Sequence, residues 1–303
     1  MRKFTQLALV SSLAFSAHTM AMQAMDDTAL SNTTGQDGIN IGIDLSKVEI
    51  DKVYVHDNDG LTNTAIGGTS TAGAISLDGV TVTRTSNTGN MLDLKIDSDG
   101  SSEGAFLNIA ADIAGLDIKI GEIGVAASNT TSTSATNIRR GVTAGTEKAI
   151  LSGLTVTTGA MDANIQLGST PQGAMIKLNT VMQGGLEISD LGILDNANNG
   201  EIWIGKIQVA DANSKDLKVQ ATVNVKENGL EVVNKQDAAS AGTDIYIQSV
   251  ALGTKPTLAN GTLPARGQAV AGSIGDIEIQ GLKTYYKANG VDTLGTVIRV
   301  SGR

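Results

Sequence analysis

The sequence predicts an all-β protein of stacked strands, either a β-sandwich or a β-solenoid-like array, elongated and with little helix. Three observations lead to this prediction. A short aliphatic motif recurs along the chain, aliphatic and polar residues alternate over many segments, and large rings are scarce. Aromatic residues make up only 3% of the chain, which has 36 glycines but only 3 prolines. Such a chain must build a thin core of aliphatic side chains between strands.

The recurring motif is an aliphatic residue, two spacer residues that include Ser or Gly, a second aliphatic residue, any residue, and a third aliphatic residue. Its copies span residues 45–50, 77–82, 120–125, 151–156, 188–193, 204–209, 247–252 and 274–279. The last two aliphatic positions share one face of a strand, whereas the first would fall on the opposite face without a bend. Gly and Ser suit such a bend, so the motif predicts strand, kink and strand. The irregular spacing leaves open whether the copies are structural repeats or ordinary strands with bulges.

A longer pattern occurs twice. Residues 105–109 lead through a Gly to 115–118, and the similar residues 174–178 lead through a Gly to 185–188. Each stretch has one alternating segment followed by the start of another. We therefore expect two hairpin-like units with a common layout.

The chain has 303 residues, of which 41% are hydrophobic, and carries 31 acidic against 22 basic residues for a net charge of -9. It is long enough for one large β-domain or two smaller ones. The acidic balance argues against binding nucleic acid through its phosphates. Cysteine is absent, which excludes disulfides, thiolate metal sites and a cysteine nucleophile. This composition fits a bacterial envelope protein stabilised by strand pairing.

Residues 1–21 have the features of a secretory signal peptide. Arg2 and Lys3 give a positive start, an apolar run follows, and Ala21 ends a small-residue cleavage site, with Ala17 as an earlier alternative. The run is too short to span a bilayer, and no later stretch has the length of a transmembrane helix. We expect an exported protein, located at the cell surface, associated with the outer membrane, or in the periplasm in transit.

Residues 22–38 form a separate N-terminal segment, and residues 39–303 form a β-rich domain that could divide further near 126–147. In the segment, Asp26 or Asp27 can cap a short helix, and Gly35 can end it. The alternative is a disordered N-terminus of the mature protein.

The run Met-Asp-Asp-x-x-Leu-Ser-x-x-Thr-Gly-Gln-Asp-Gly-Ile, from Met25 to Ile39, resembles the start of FilA-like pilus-assembly proteins of Gram-negative bacteria. In those proteins an acidic residue usually precedes the Leu and an aliphatic residue precedes the Thr, whereas Ala29 and Thr33 stand here. The resemblance implies an assembly role in which this segment joins subunits. The residues expected to take part are Met25, Asp26, Asp27, Leu30, Gly35, Gln36, Gly38 and Ile39.

Alternating or aliphatic segments predict strands through most of the remaining chain. The clearest cover residues 39–45, 48–55, 175–181, 186–194, 202–209, 217–225, 274–282 and 296–301. Stretches dense in small and polar residues predict loops over 62–74, 126–147, 234–243 and 253–270.

Two acidic stretches contain the Asp-x-Asp and Gly pattern of calcium loops, with Asp57 and Asp59 in the first and Asp97 and Asp99 in the second. A complete loop needs further oxygen ligands at fixed offsets and a terminal carboxylate. The first stretch has none, and the second offers only Glu103. Polar hairpin turns are the preferred interpretation of both stretches, and no cofactor is expected.

The sequence offers little catalytic chemistry. Its two histidines are His18, in the leader, and His56, so neither a Ser-His-Asp triad nor a zinc site can be assembled. Carboxylate pairs could serve a glycosidase, but the acidic residues mostly alternate with aliphatic ones, as on the solvated face of a sheet. We therefore expect a non-enzyme.

The favoured function is an exported structural subunit or assembly component of a pilus-like surface filament. Its sheet edges or N-terminal segment would join copies of the same or a related protein into a homo-oligomer or filament. The alternative is an adhesin-type glycan-binding module, in which Trp203, Tyr285 and Tyr286 stack on sugars, although a lone Trp more often packs inside. A carboxylate-based hydrolase is the third and least favoured hypothesis.

Overall fold

The computed structural model describes residues 38–129, 137–237 and 239–302, and this part of the chain is almost entirely β-structure. Two single 3-10 turns, Thr64–Ile66 and Ala259–Gly261, are the helical elements among these residues. The strands are β1 (Ile39–Ile43), β2 (Lys47–Asp57), β3 (Gly73–Arg84), β4 (Leu92–Ser101), β5 (Gly104–Ile113), β6 (Leu116–Ile120), β7 (Ile123–Ala127), β8 (Lys148–Leu151), β9 (Leu154–Thr158), β10 (Met161–Gly168), β11 (Ile176–Met182), β12 (Leu186–Asp195), β13 (Gly200–Asp211), β14 (Leu217–Lys226), β15 (Gly229–Lys235), β16 (Thr243–Gly253), β17 (Ser273–Leu282), β18 (Tyr285–Ala288) and β19 (Val291–Val300). The predicted all-β class is confirmed.

These strands form two large sheets. Sheet A has the order β1-β4-β5-β10-β11-β14-β15-β19-β18. Sheet B has the order β2, β3, β6 with β7, β8 with β9, β12, β13, β16 and β17, because two pairs of short strands each occupy one strand position. From β2 onward the ladders are antiparallel. Residues 40–303 form one compact unit.

The chain alternates between the two sheets as it proceeds. It crosses from sheet A to sheet B after β1, β5, β11 and β15, and returns after β3, β9, β13 and β17. Two of these crossings explain the repeated longer pattern, since β5 leads to β6 and β11 leads to β12 in the same way. At these crossings a Cβ on Gly115 would lie 2.5 Å from Thr85 Oγ1, and one on Gly185 would lie 2.5 Å from the Val209 carbonyl oxygen. The common layout is confirmed, but the expected hairpin-like pairing is wrong, because the two strands of each unit lie in different sheets.

The aliphatic motif marks a line of kinks across sheet B. Seven of its copies fall on β3, the β6–β7 and β8–β9 junctions, β12, β13, β16 and β17. At the spacers the pairing is interrupted: between Ser189↔Lys206 and Leu191↔Ile204, for example, one residue pair is missing and the register continues unchanged. Left-handed backbone occurs at five spacers, in Gly79, Gly153, Asp190, Ser249 and Gly275. The predicted kink is confirmed for these seven copies, and the eighth, at 45–50, leads into β2.

The kinks bring residues before and after the spacer to the same face of the sheet. Trp203 and Lys206 are three residues apart and would lie on opposite faces of a straight strand. Instead both line one cleft together with Glu187, whose carboxylate is 2.8 Å from Lys206 Nζ. The kink therefore collects the polar residues on one face and leaves the motif aliphatics on the other.

Register aligns the aliphatic residues into rows that run across each sheet. The longest row in sheet B is Val48, Val82, Ile118, Val156, Ile188, Ile207, Ile247 and Ile277. Sheet A has a matching row of Ile96, Ile109, Ile165, Ile176, Val223, Val232 and Ile298. The buried hydrophobic residues are mostly alanines, and Trp203 is the one large hydrophobic side chain that is fully buried among the described residues. The core is thin, as expected, but its fully buried part consists mostly of small residues around one Trp, and the larger aliphatic side chains are half-buried or exposed.

Two local predictions need correction. Residues 97–100 lie inside β4 and pair with β5, and the turn comes after them at 102–103, because the alternating run continues through the acidic residues. The loop near 126–147 is not a domain boundary, since β7 and β8 on its two sides pair with each other in sheet B.

Candidate functional site

Strand β17 forms an open edge of sheet B. Among the described residues it pairs with β16 alone, so the backbone groups on its other side face away from the sheet. Its aliphatic side chains are exposed as well, with Ile274 at 70% and Ile277 at 47%. Open, aliphatic strands of this length are templates for pairing with another strand.

Hydrogen bonds hold β17 firmly against β16. The Tyr246 hydroxyl donates to Asp276 Oδ2 at 2.5 Å, and the backbone N–H of Ser249 donates to Asp276 Oδ1 at 2.9 Å. The Tyr246 hydrogen bond holds the pKa of Asp276 below its ordinary value, and the same bond raises the pKa of Tyr246. Arg266 lies 4.3 Å from the centre of the Tyr246 ring. These bonds fix β17 to β16, although the ladder between them is irregular at three places. A strand that is already fixed loses less conformational entropy when another strand is added.

Strand β2 forms the opposite edge of sheet B. It pairs with β3 along its whole length, and its Ile50 and Val55 are exposed. Lys52 Nζ lies 2.9 Å from Glu147 Oε1 and 3.3 Å from Asp78 Oδ1. The hydrogen bond to Glu147 raises the pKa of Lys52 beyond its usual range. These bonds fix β2 to the rest of the sheet without covering its outer edge.

Sheet A has open edges at the same two ends. Its first strand is the exposed β1. At the other end β18 pairs only with the first part of β19, from Val291 to Leu294, and the Gly295 N–H donates to the Thr284 carbonyl at 2.8 Å. No described strand covers the outer edge of 296–300. Each end of the molecule's two sheets thus presents one strand from sheet A and one from sheet B.

Sheet B also exposes aliphatic side chains near the hairpin ends of its strands. This aliphatic patch consists of Val55, Ile75, Val125, Ile193, Ile202 and Leu252. The reverse face at the same level is buried and holds Ala74, Ser76, Ala126, Trp203 and Ala251. Antiparallel sheets normally bury the aliphatic face and solvate the other. An apolar surface left open in this way is typical of a protein interaction site.

Trp203 is 1% exposed, which contradicts the expected role in stacking on a sugar. Its register neighbours are Gly192 and Ala251, which leave room for the ring, and the 254–272 loop closes over it through Leu263 and Lys255. The indole Nε1–H donates to Asp190 Oδ1 at 2.7 Å. Trp203 therefore anchors the loop to the sheet.

A cleft of about 520 Å³ remains beside Trp203, between the strands and the 254–272 loop. Asp190 and Lys255 form a 2.5 Å ion pair at its edge, and Glu187 and Lys206 form another. Burial would raise the pKa of Asp190, but hydrogen bonds from Lys255 and Trp203 outweigh it and lower the pKa. The charges in this cleft are already paired with each other, so they serve to hold the loop.

The predicted calcium ligands do not come together. Asp57 Oδ1 accepts the backbone N–H groups of Asp59 and Gly60 at 3.3 and 3.0 Å, which makes a polar turn at the end of β2. Asp97 and Asp99 lie on β4, opposite Asn108 and Phe106. Within the described part of the chain, no group of three or more acidic residues or histidines is placed to hold a metal ion.

The remaining predicted site residues are divided between the described and undescribed parts. Met25, Asp26, Asp27, Leu30, Gly35 and Gln36 lie outside the described residues, as does the predicted signal peptide. Gly38 and Ile39 are exposed at the start of β1, and Tyr285 at the start of β18 is 59% exposed with Tyr286 half-buried beside it. The local sequences of Ile277 and of β2 do not mark them as belonging to a sheet edge. The available signal for β17 was that residues 274–279 are the last copy of the motif in the chain.

A family model described as "Family of unknown function (DUF6160)" matches residues 1–115, a span that ends just after β5. No curated protein and no solved structure matches the chain. Among the described residues, the structure has no helix with the length and apolar character needed to cross a membrane.

Proposed function

We propose that this protein is an exported structural subunit, or an assembly component, of a pilus-like surface filament. The observation that carries the proposal is that, within the described residues, both sheets end in open strands at each end. A chain that functions as an isolated monomer normally shortens, charges or covers such edges. Strand β17 exposes Ile274 and Ile277, and its protection consists of the two carboxylates Asp276 and Glu278 and an irregular ladder with β16.

The aliphatic patch of sheet B gives further support. It lies on neighbouring strands in register, as Val55 with Ile75 and Ile193 with Ile202. Aliphatic contacts to another subunit would remove it from water at a gain of roughly 25 cal/mol per Å². The resemblance of residues 25–39 to pilus-assembly proteins suggests which kind of assembly this is.

A glycan-binding module stays the second candidate because of Tyr285, an exposed aromatic ring on a short terminal strand. Such a ring can stack on a sugar. A glycan array with the wild type and Tyr285→Ala tests it, and binding that depends on Tyr285 would favour this candidate over assembly.

Electron microscopy of the leader-cleaved protein, and of cells that lack it, tests the assembly role. Regular filaments from the protein alone, or filaments missing from the cells, are the expected results. Monodisperse particles together with unchanged cell filaments would contradict the proposal.

A second variant separates the two routes of assembly. Deletion of residues 22–38 removes the N-terminal segment and ends before β1. If the segment joins the subunits, the variant stays folded but unassembled. If the sheet edges join them, filaments persist.

A further inference from the structure

We infer that copies of this chain join head to tail, with the β17 edge of one copy pairing antiparallel with the β2 edge of the next. This inference rests on the proposed function and names the partner of the open edge as a second copy of the same chain. It makes sheet B continuous from one copy to the next.

Strand direction permits this arrangement by simple translation. Sheet B has eight strand positions from β2 to β17, counting β6 with β7 and β8 with β9 as one each. Every ladder between them is antiparallel, so directions alternate and the first and last strands run in opposite directions. A copy shifted along the sheet therefore brings its β2 antiparallel to the β17 of its neighbour, with lengths of 11 and 10 residues.

The longest aliphatic row gives the register. That row begins at Val48 on β2 and ends at Ile277 on β17. In a translated copy it continues, with Val48 opposite the Ile277 of the neighbour, and aliphatic pairs of this kind stabilise sheets. The same register puts Lys47 opposite Glu278, a pair of opposite charge. It also puts Asp276 opposite Glu49, a pair of like charge that opposes part of this gain. Within each copy Tyr246 donates a hydrogen bond to Asp276, and Lys47 lies beside Glu49.

Charge disfavours the symmetric alternative, in which two β17 edges pair with each other. Residues 273–282 contain Asp276 and Glu278 and no basic residue, so two β17 strands would bring only negative charges together. Strand β2 carries Lys47 and Lys52 together with Glu49, Asp51 and Asp57, so it offers some positive charge where β17 offers none. A head-to-tail contact leaves one open edge at each end of every oligomer, and by translation it builds an open filament.

Sheet A can add a second ladder to the same contact. The uncovered stretch of β19, residues 296–300, is as long as β1, which has five residues. Pairing of both sheets at one contact would fix the rotation of one copy relative to the next.

Cysteine cross-linking tests the inference cleanly, because the chain has no cysteine of its own. The double variant Val48→Cys with Ile277→Cys is assembled and oxidised, or treated with a short bis-maleimide. We expect a ladder of covalent dimers, trimers and higher multimers on a non-reducing gel. A mixture of the two single variants should stop at dimers, and each single variant alone should remain monomeric.

The control is Val225→Cys with Ile277→Cys, since Val225 is exposed on β14, an interior strand of sheet A. The edge pair should cross-link at least about ten-fold faster than this control, because pairing holds its thiols at high effective concentration. Equal rates would mean random collision and would overturn the inference. Dimers from Ile277→Cys alone would overturn it in favour of symmetric β17 pairing.

A second pair, Lys47→Cys with Glu278→Cys, uses exposed positions and serves if the first variant does not fold. Failure of the inference is distinguishable from failure of the proposed function. Filaments in the microscope without edge cross-links overturn head-to-tail pairing and keep the filament role. Absence of both filaments and cross-links overturns both.

Discussion

Strands β13 and β17 carry the same motif in very different surroundings. Residues 204–209 on β13 and 274–279 on β17 each place three aliphatic residues around a Gly-containing spacer. Strand β13 has β12 and β16 on its two sides, and its Ile207 is half-buried. Strand β17 has one neighbour, and the equivalent Ile277 is 47% exposed. The difference shows that position in the sheet, rather than local sequence, decides whether this motif becomes core or interface.

Among changes in the interior of sheet B, removal of the Trp203 ring should have the largest effect on stability. Trp203→Ala should lower the free energy of unfolding by about 3–5 kcal/mol, because it empties a fully buried site and frees the loop that packs on it. The matched change Tyr285→Ala removes an exposed ring and should cost no more than about 0.5 kcal/mol. Urea denaturation followed by circular dichroism measures both. Equal losses would show that the Trp203 region is no better packed than the sheet end.

A charge placed at the two equivalent positions tests the comparison directly. Ile207→Lys should lower the free energy of unfolding by about 2 kcal/mol, because it places an ammonium group in a half-buried row of aliphatic side chains. Ile277→Lys should change the free energy of unfolding by less than about 0.5 kcal/mol, yet abolish assembly. Denaturation and electron microscopy of the same two samples give both readouts. Assembly that survives Ile277→Lys would remove β17 from the interface.

The kinks predict a smaller, geometric effect. Gly153 has φ 117°, and a Cβ there would lie 2.9 Å from the carbonyl oxygen of Gly121 on the neighbouring strand position. Gly89 has φ 82° with open space around it. Each substitution to Ala should lower the free energy of unfolding by about 1–2 kcal/mol, because Ala disfavours the left-handed backbone. Gly153→Ala should lower it by about 1 kcal/mol more, because its Cβ would lie too close to the Gly121 oxygen. Thermal unfolding of the two variants measures the difference, and equal values would show that the sheet relaxes around the kink.

Acid should weaken the attachment of β17 by the smallest amount. The pKa of Asp276 is held below its ordinary value of 3.8, chiefly by the Tyr246 hydrogen bond. The charged form therefore stabilises the folded state above that pH, and this contribution is lost as the pH falls through the lower, folded value. The unfolding temperature of the wild type should drop more steeply below pH 4 than that of Asp276→Asn. Parallel curves would mean that the carboxylate does not fix the edge.

Much of this structure was predictable because its causes are local. Alternation of aliphatic and polar residues and the Ser or Gly in each spacer are conformational preferences of a few residues, so strands and kinks could be read directly. The predictions were wrong for residues whose structure depends on the strands or loops that pack against them. Asp97 and Asp99 match a turn pattern, yet β5 pairs with them and keeps them in a strand. Whether Trp203 is exposed or buried depends on its small neighbours Gly192 and Ala251 and on a loop that is distant in sequence.

The sequence by itself determined that this protein is all-β, aliphatic, acidic and free of cysteine, and that its strands kink at the copies of the motif. The tertiary structure alone decided which strands meet in each sheet, which copy of the motif comes last, and where the polar face is covered. The reason is that pairing is non-local: any two aliphatic strands of suitable length can share a ladder. The order in which the chain crosses between the sheets selects the pairs, and with them the edges left open.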